Sequence, residues 1–335
     1  MYCRLFRSSD FEVCAPLVEP GFRIPAALRA ALPSLWRRLF VAGQLHGGVV
    51  VDPDIAGPES IVAFSMSVFV DEIFVTDYLR APSPYPAALV YERILAGRSP
   101  VLATKDLPAS NSSGNMNLLI LHFRIRDNST PHDDRGRAVL AVFQSSFLLS
   151  YVGYRMKRVL QEAYGSEQLP FFTAGGFLLK SDYRSHVEPD GVQTPPGELR
   201  PYLMGVYRDD PHTRYLGTQL SYLFHYVEPR FNFSTGEQRV LLRALMDESD
   251  EAISDALAIS HDAVKKTWRR IHDRVVDVVA TAPELFDDVG DVSTTRGKEK
   301  RRRLLQYVRH HLEELRPFAR QTKATGPGPD VRALS

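Results

Sequence analysis

The stretch that most restricts what this chain can fold into is residues 233 to 272, FSTGEQRVLLRALMDESDEAISDALAISHDAVKKTWRRIH. Apolar residues recur there at helical spacing three times, and a strong capping residue precedes each run. The first run predicts a helix from Thr235 to Leu245, with Val240, Leu241, Ala244 and Leu245 on its inner face. Ser234 and Glu237 stand three apart before it, the spacing of a capping box. Ser249 or Asp250 caps a second helix whose apolar face is Ala252, Ile253, Ala256 and Leu257. Only Ala258 and Ile259 intervene before Ser260 opens a third, in which Val264, Trp268, Ile271 and Val275 form one buried stripe. The other faces of that helix carry His261, Lys265, Lys266, Arg269 and Arg270.

Two short amphipathic helices joined by a tight turn, the second one basic, have the geometry that places a helix in the DNA major groove. The segment resembles the C-terminal domain of LuxR/GerE-type transcription regulators over residues 233 to 275. The resemblance is carried by Phe233-Ser234 with Glu237, by Val240-Leu241 and by Ala252-Ile253-Ser254. It continues through Leu257-Ala258-Ile259-Ser260 and Ala263-Val264-Lys265, with no gap. Asp247 and Ala258 stand where such domains usually have Gly, Thr267 where His is common and Ala263 where Thr is usual. The resemblance implies a DNA-binding regulator of LuxR type, acting as a homodimer on double-stranded DNA. It would read base edges with His261, Asp262, Lys265 and Lys266. Ser260, Thr267, Arg269 and Arg270 would meet phosphates, joined by Arg301 and Arg302 from a basic run after the unit.

Charge segregation agrees with such a face on a nearly neutral chain of net charge +1: acids gather before and on the second helix, bases on the third and at residues 298 to 303. With 335 residues, 44% hydrophobic and 24% charged, the chain has the composition of ordinary globular material and a length suited to about two domains. Cys3 and Cys14 suit neither a disulfide framework nor a zinc site, and no metal or cofactor is indicated. A cytoplasmic location is expected, because Asp10 and Glu12 interrupt the N-terminal residues before a signal-peptide core can form. Residues 138 to 154 carry no charge, but Gln144, Ser145, Ser146 and Ser150 make them too polar, and they are too few, to cross a membrane.

Residues 1 to 183 read as alternating helices and strands, an α/β layer that would sense an unknown small-molecule or protein effector. Helices are expected over residues 22 to 45, in two pieces around Pro33, and over 85 to 97. A long helix is expected from 138 through Gly153 to 165. Strands are expected at 45 to 51, 61 to 75, 101 to 104, 117 to 125 and 171 to 179, with residues 105 to 114 as a loop. Residues 184 to 230 form a Pro- and Gly-rich linker with a strand near 202 to 207 and a bridging helix at 214 to 227. The helix-turn-helix unit occupies 231 to 280. Residues 281 to 318 hold a linker and an amphipathic helix from about 298 to 315, and 319 to 335 a disordered tail.

An early strand pair, a central strand leading into a long helix and a Gly-Phe in the following strand give the N-terminal half a faint resemblance to the GNAT-type acyltransferase fold. Such enzymes hold the acyl-CoA pyrophosphate on the loop before the central helix, with Arg or Gln, two residues, Gly, one residue, then Gly or Ala. Here Asp133 takes the first place, followed by Gly136 and Ala138, and the stretch around Gly153 and Tyr154 fits no better. His122 and His132 have no nucleophile or acid partner visible in spacing, and no Gly-rich phosphate loop, HExxH helix or GxSxG turn occurs. The regulator is therefore the main expectation. An acyltransferase fused to a helix-turn-helix is the alternative, and a protein-interaction module the second.

Overall fold

In the computed structural model, the structure describes residues 1–19, 21–126, 133–183, 199–215, 217–281 and 298–319. The expected linkers at 184 to 198 and 282 to 297, the tail from 320 and His132 lie outside the described residues.

The N-terminal half is built as β1 (Tyr2–Leu5), α1 (Asp10–Cys14), α2 (Ala26–Val41), β2 (His46–Val51), β3 (Ile61–Val70), α3 (Glu72–Arg80), α4 (Pro86–Leu95), α5 (Leu107–Ser113), β4 (Met116–Ile125), α6 (Asp134–Tyr151), β5 (Met156–Tyr164), α7 (Leu169–Gly175), β6 (Leu178–Ser181) and β7 (Pro201–Tyr207). One seven-stranded sheet runs in the order β1-β2-β3-β4-β5-β7-β6. Every neighbouring pair is antiparallel except β4 and β5, which are parallel and joined by α6. This is a mixed α/β sheet. Helices cover both faces: Leu119, Leu121, Leu160 and Leu203 face a core with α1 to α4, while Leu118, Ile120, Val159 and Met204 face one with α6 and α7.

Burial on both faces explains where local pattern misleads. The segment after Gly153 does not continue α6: the helix stops at Tyr151, and Met156–Tyr164 pairs with β4 and β7 as an inner strand. A strand covered on both faces loses the alternation that identifies strands on sight. Residues 171 to 175 belong to α7, leaving only Leu178–Ser181 as strand, and residues 72 to 80 turn into α3, whose N-terminal amide at Phe74 is capped by Asp71. The expected loop at 105 to 114 contains α5, and the strand at 101 to 104 reduces to one bridge between Val70 and Val101. Helix α2 runs unbroken past Pro33, its face of Leu28, Leu32, Leu35, Trp36 and Leu39 outweighing the one hydrogen bond that proline removes. Among the described residues of 214 to 227 no bridging α-helix forms, and short 3-10 turns occur at Pro211–Arg214 and Gln219–Phe224.

The C-terminal part is helical: α8 (Thr235–Leu245), α9 (Asp250–Leu257), α10 (His261–Thr281) and α11 (Lys298–His310), followed by a 3-10 turn at Leu312–Leu315. Ser234 and Glu237 form the capping box, Ser249 caps α9, and Trp268 is buried. Val240, Leu241, Ile253, Val264, Ile271 and Val275 make a core closed from the other side by Leu304 and Val308 of α11. Asp247 and Ala258, the two positions where glycine was the familiar residue, both have left-handed backbone, with φ of 58° and 53°.

The helices are fixed to the sheet through residues 312 to 317. Arg316 is buried and donates from Nε to the Val152 carbonyl at 2.8 Å and from Nη2 to that of Leu149 at 2.6 Å, at the end of α6. Gln238 of α8 donates to the Arg316 carbonyl, and Asn111 of α5 to that of Pro317. Among the described residues, no helix is long and apolar enough to cross a membrane.

Candidate active site at a splayed strand pair

The parallel pairing of β4 with β5 ends at Ile120↔Gln161, although β4 runs on to Ile125 and β5 stays paired with β7 as far as Tyr164. The two strands therefore part at the centre of the sheet. At the same level β4 is bulged: Ser67 faces Ile120 and Met66 faces His122, so Leu121 is the extra residue. A bulge resets the alternation of side chains. Leu121 and His122 both turn to the α1 to α4 face, and Phe123 turns to the α6 and α7 face.

Under Phe123 lies a cavity of about 360 Å³ between the parting strands, α6, α7 and the turn at 217 to 220. Leu140, Phe143, Phe147, Phe171 and Phe172 line it with hydrocarbon. Its few polar groups are Ser65, Gln144, Gln161, Gln219 and Thr218, whose buried Oγ1 has no hydrogen-bond partner. An apolar enclosure with a few convergent polar groups is the usual make-up of a small-molecule site.

On the opposite face the same two strands carry acid-base groups. His122 Nε2 is 2.9 Å from the Tyr91 hydroxyl, which also accepts from Trp36 Nε1 at 2.8 Å. His122 Nδ1 is 3.3 Å from Glu19 Oε2, while Glu19 Oε1 accepts the Phe123 amide at 3.2 Å. Glu19 thus reaches the strand edge from the loop after α1, which passes so close to β5 that a β-carbon on Gly21 would stand 2.7 Å from the Tyr164 ring. From β5, Glu162 accepts the Tyr164 hydroxyl at 2.7 Å and the Tyr85 amide at 2.8 Å. Tyr85 holds a left-handed backbone, φ 65°, to present that amide. Part of Glu162 stays accessible, but its carboxyl is enclosed. Burial pushes it up to about 7 against the pull of these hydrogen bonds, and Glu19 adds to the rise.

At the start of α6, Asp133 Oδ1 accepts the Gly136 amide at 2.6 Å. The helix end that would meet a pyrophosphate is capped by the chain's own acid.

The expected DNA-contact residues lie at the start of and on α10 and on α11, and none of them lines this cavity. Lys265, Lys266, Arg269 and Asp262 are exposed, and His261 Nε2 lies 3.5 Å from Glu251. Ser260 caps the Ala263 amide, and Arg270 donates to the Thr267 hydroxyl. Thr267 as a phosphate contact is corrected: it is buried, with its hydroxyl on the Ala263 carbonyl. Arg301 lies 4.1 Å over the Trp268 ring and pairs with Asp250 at 2.8 Å, and Arg302 pairs with Glu299. His122, for which spacing showed no acid partner, belongs to the site through Glu19. Glu162 and the cavity had no signal in the pattern beyond the broken alternation around residue 121.

No family model matches the chain, and no curated protein matches it. Several solved structures do. A variant of spermidine N-acetyltransferase SpeG from Vibrio cholerae is 10% identical, covers 67% of this chain and 98% of its own, and superposes with a TM-score of 0.35. A Drosophila melanogaster polyamine N-acetyltransferase is 13% identical over 61% of this chain and 98% of its own, at 0.35. FeeM, an N-acyl amino acid synthase from uncultured soil microbes, is 8% identical over 62% and 95%, at 0.33. These neighbours are acyl-transfer proteins and not transcription regulators, which corrects the expectation that the chain is a LuxR-type regulator with a sensor domain. The N-terminal sheet instead builds a cavity and an acid-base cluster of its own.

Proposed function

We propose that this protein is an acyltransferase of the GNAT type that moves an acyl group from a thioester to an amine. One observation carries the reading. The bulge at Leu121 and the parting of β4 from β5 lie between an apolar cavity on one face of the sheet and the Glu162 and His122 clusters on the other. The acyl chain lies in the cavity with its carbonyl between the strands, and the acceptor amine arrives from the Glu162 side. The nitrogen attacks the carbonyl carbon, the C–N bond forms and the C–S bond breaks. Glu162 takes the proton released by nitrogen, and the departing sulfur regains one from the solvent. A carboxyl poised near neutrality suits that task. Glu19, His122 and Tyr91 position the edge of β4. Because Asp133 caps α6, a pyrophosphate is not expected to dock there, and the thioester is tested both as acyl-CoA and as acyl carrier protein.

The test is thiol release from octanoyl-CoA and from octanoyl carrier protein in the presence of a panel of amines and amino acids. Ala174→Trp, at the cavity wall, is expected to abolish release, and Glu162→Gln to lower kcat by 10²-fold or more. Absence of release from both carriers with every amine would refute the reading.

Helices α8 to α10 keep, in this proposal, the geometry of a LuxR/GerE-type helix-turn-helix. The left-handed backbone at Asp247 and Ala258 supports it, since those are the positions where such units carry glycine. The reaction is placed in the cytoplasm, consistent with the free thiols of Cys3 and Cys14.

A further inference from the structure

A second cavity, of about 230 Å³, lies between the sheet and the helical unit. Phe40, Leu107, Leu242 and Leu257 give it apolar walls, and Arg239 of α8 and Arg316 reach it as well. Among the described residues, neither arginine is within ion-pair distance of a carboxylate, whereas the neighbouring Arg243 is matched by Glu248 at 2.9 Å. A buried guanidinium without a counter-ion is costly. Arg316 is compensated by the two carbonyls at the end of α6, by Tyr154, whose ring lies 4.9 Å away, and by the nearby Glu313 charge, without a direct ion pair. Arg239 is exposed to solvent at the cavity edge and has no carboxylate partner among the described residues; desolvation of part of its side chain, with the Arg243 charge, lowers its pKa. Burial, with the Arg316 charge adding to it, holds the His46 imidazole on the same cavity down at about 4. His46 is therefore neutral and adds no positive charge of its own.

We propose that this cavity binds a small molecule with an apolar body and one oxyanion group, a carboxylate or a phosphate, placed against Arg239 and Arg316. Such a ligand touches both the sheet side and α8, so it ties the two parts of the molecule together. The inference does not depend on acyl transfer, because none of these residues lines the cavity under Phe123.

Isothermal titration of the full chain with hexanoate, hexyl phosphate and hexylamine tests it. Binding of hexanoate alone assigns a carboxylate, binding of hexyl phosphate alone a phosphate ester, and either supports the proposal when hexylamine is silent. Arg239→Met, at an exposed position, is expected to weaken binding at least 10-fold, with thermal unfolding checking that the variant is folded. Ala174→Trp, which fills the other cavity, is expected to leave the affinity unchanged. No heat with either anion, equal affinity in Arg239→Met, equal binding of hexylamine, or loss of binding in Ala174→Trp would each overturn it.

Discussion

A left-handed backbone costs a residue with a β-carbon about 1–2 kcal/mol, and Ala258 meets that cost at the turn between α9 and α10 with no side-chain group to offset it. Asp247 shares the conformation, but its carboxylate pairs with Arg309 at 3.2 Å. Ala258→Gly is accordingly expected to raise stability by about 1 kcal/mol, less than the full strain because glycine also frees the unfolded chain. Urea unfolding reads this directly, and a destabilised variant would contradict it. Glu162 presents the opposite kind of tension. Its carboxyl titrates near the usual 4.5 when unfolded and near 7 when folded, so the folded state binds the extra proton. Stability is then lost as pH rises from about 4.5 to about 7 and stays lowered above that. Glu314, buried in the turn after α11 where it accepts the Arg230 and Phe231 amides, is also raised to about 7 and adds the same sign. Replacing Glu162 by Gln is expected to remove about half of that slope, and an unchanged profile of melting temperature against pH would contradict the assignment.

At the level of elements, helix α8 shows how a local sequence signal becomes a tertiary joint. Its capping box satisfies the Ser234 amide with Glu237 Oε2 at 2.8 Å and the Glu237 amide with the Ser234 hydroxyl. The same Glu237 carboxylate lies 3.2 Å from Arg274 of α10, so the cap also ties the first helix to the third. Ser234→Ala is expected to cost about 1 kcal/mol, measured by chemical denaturation. A change within error would mean that the Glu237–Arg274 pair alone fixes the helix start. Strand β5 illustrates the converse. Its residues read as a continuation of α6, and only pairing with strands contributed by residues 116 to 120 and 201 to 207 makes them extended.

For the whole molecule, the sheet and the helical unit have separate cores joined by a narrow weld. At Gly153 the chain leaves α6 with φ 93°, and a β-carbon there would lie 2.5 Å from the Glu313 amide nitrogen. Gly153→Ala combines backbone strain with a clash against main chain that cannot move alone. It is expected to cost about 3 kcal/mol and to split one calorimetric transition into two, as the helices separate from the sheet. A single transition at an unchanged temperature would show that the two cores do not depend on this contact.

What the sequence determined alone is what short-range physics determines. The three helices after residue 233, their caps and their buried stripe are readable because each signal lies within one or two turns of the residue it acts on. The alternation of helix and strand in the N-terminal half was legible on the same ground, as were β2, most of β4 and α4. The candidate site was not. Glu19, His122 and Glu162 are separated by 103 and 40 positions in the chain, and their meeting depends on a one-residue bulge and on where two parallel strands cease to pair. Strand pairing between distant segments leaves no periodicity in either of them, so the cavity, the raised carboxyl and the weld at Arg316 were decided by tertiary structure.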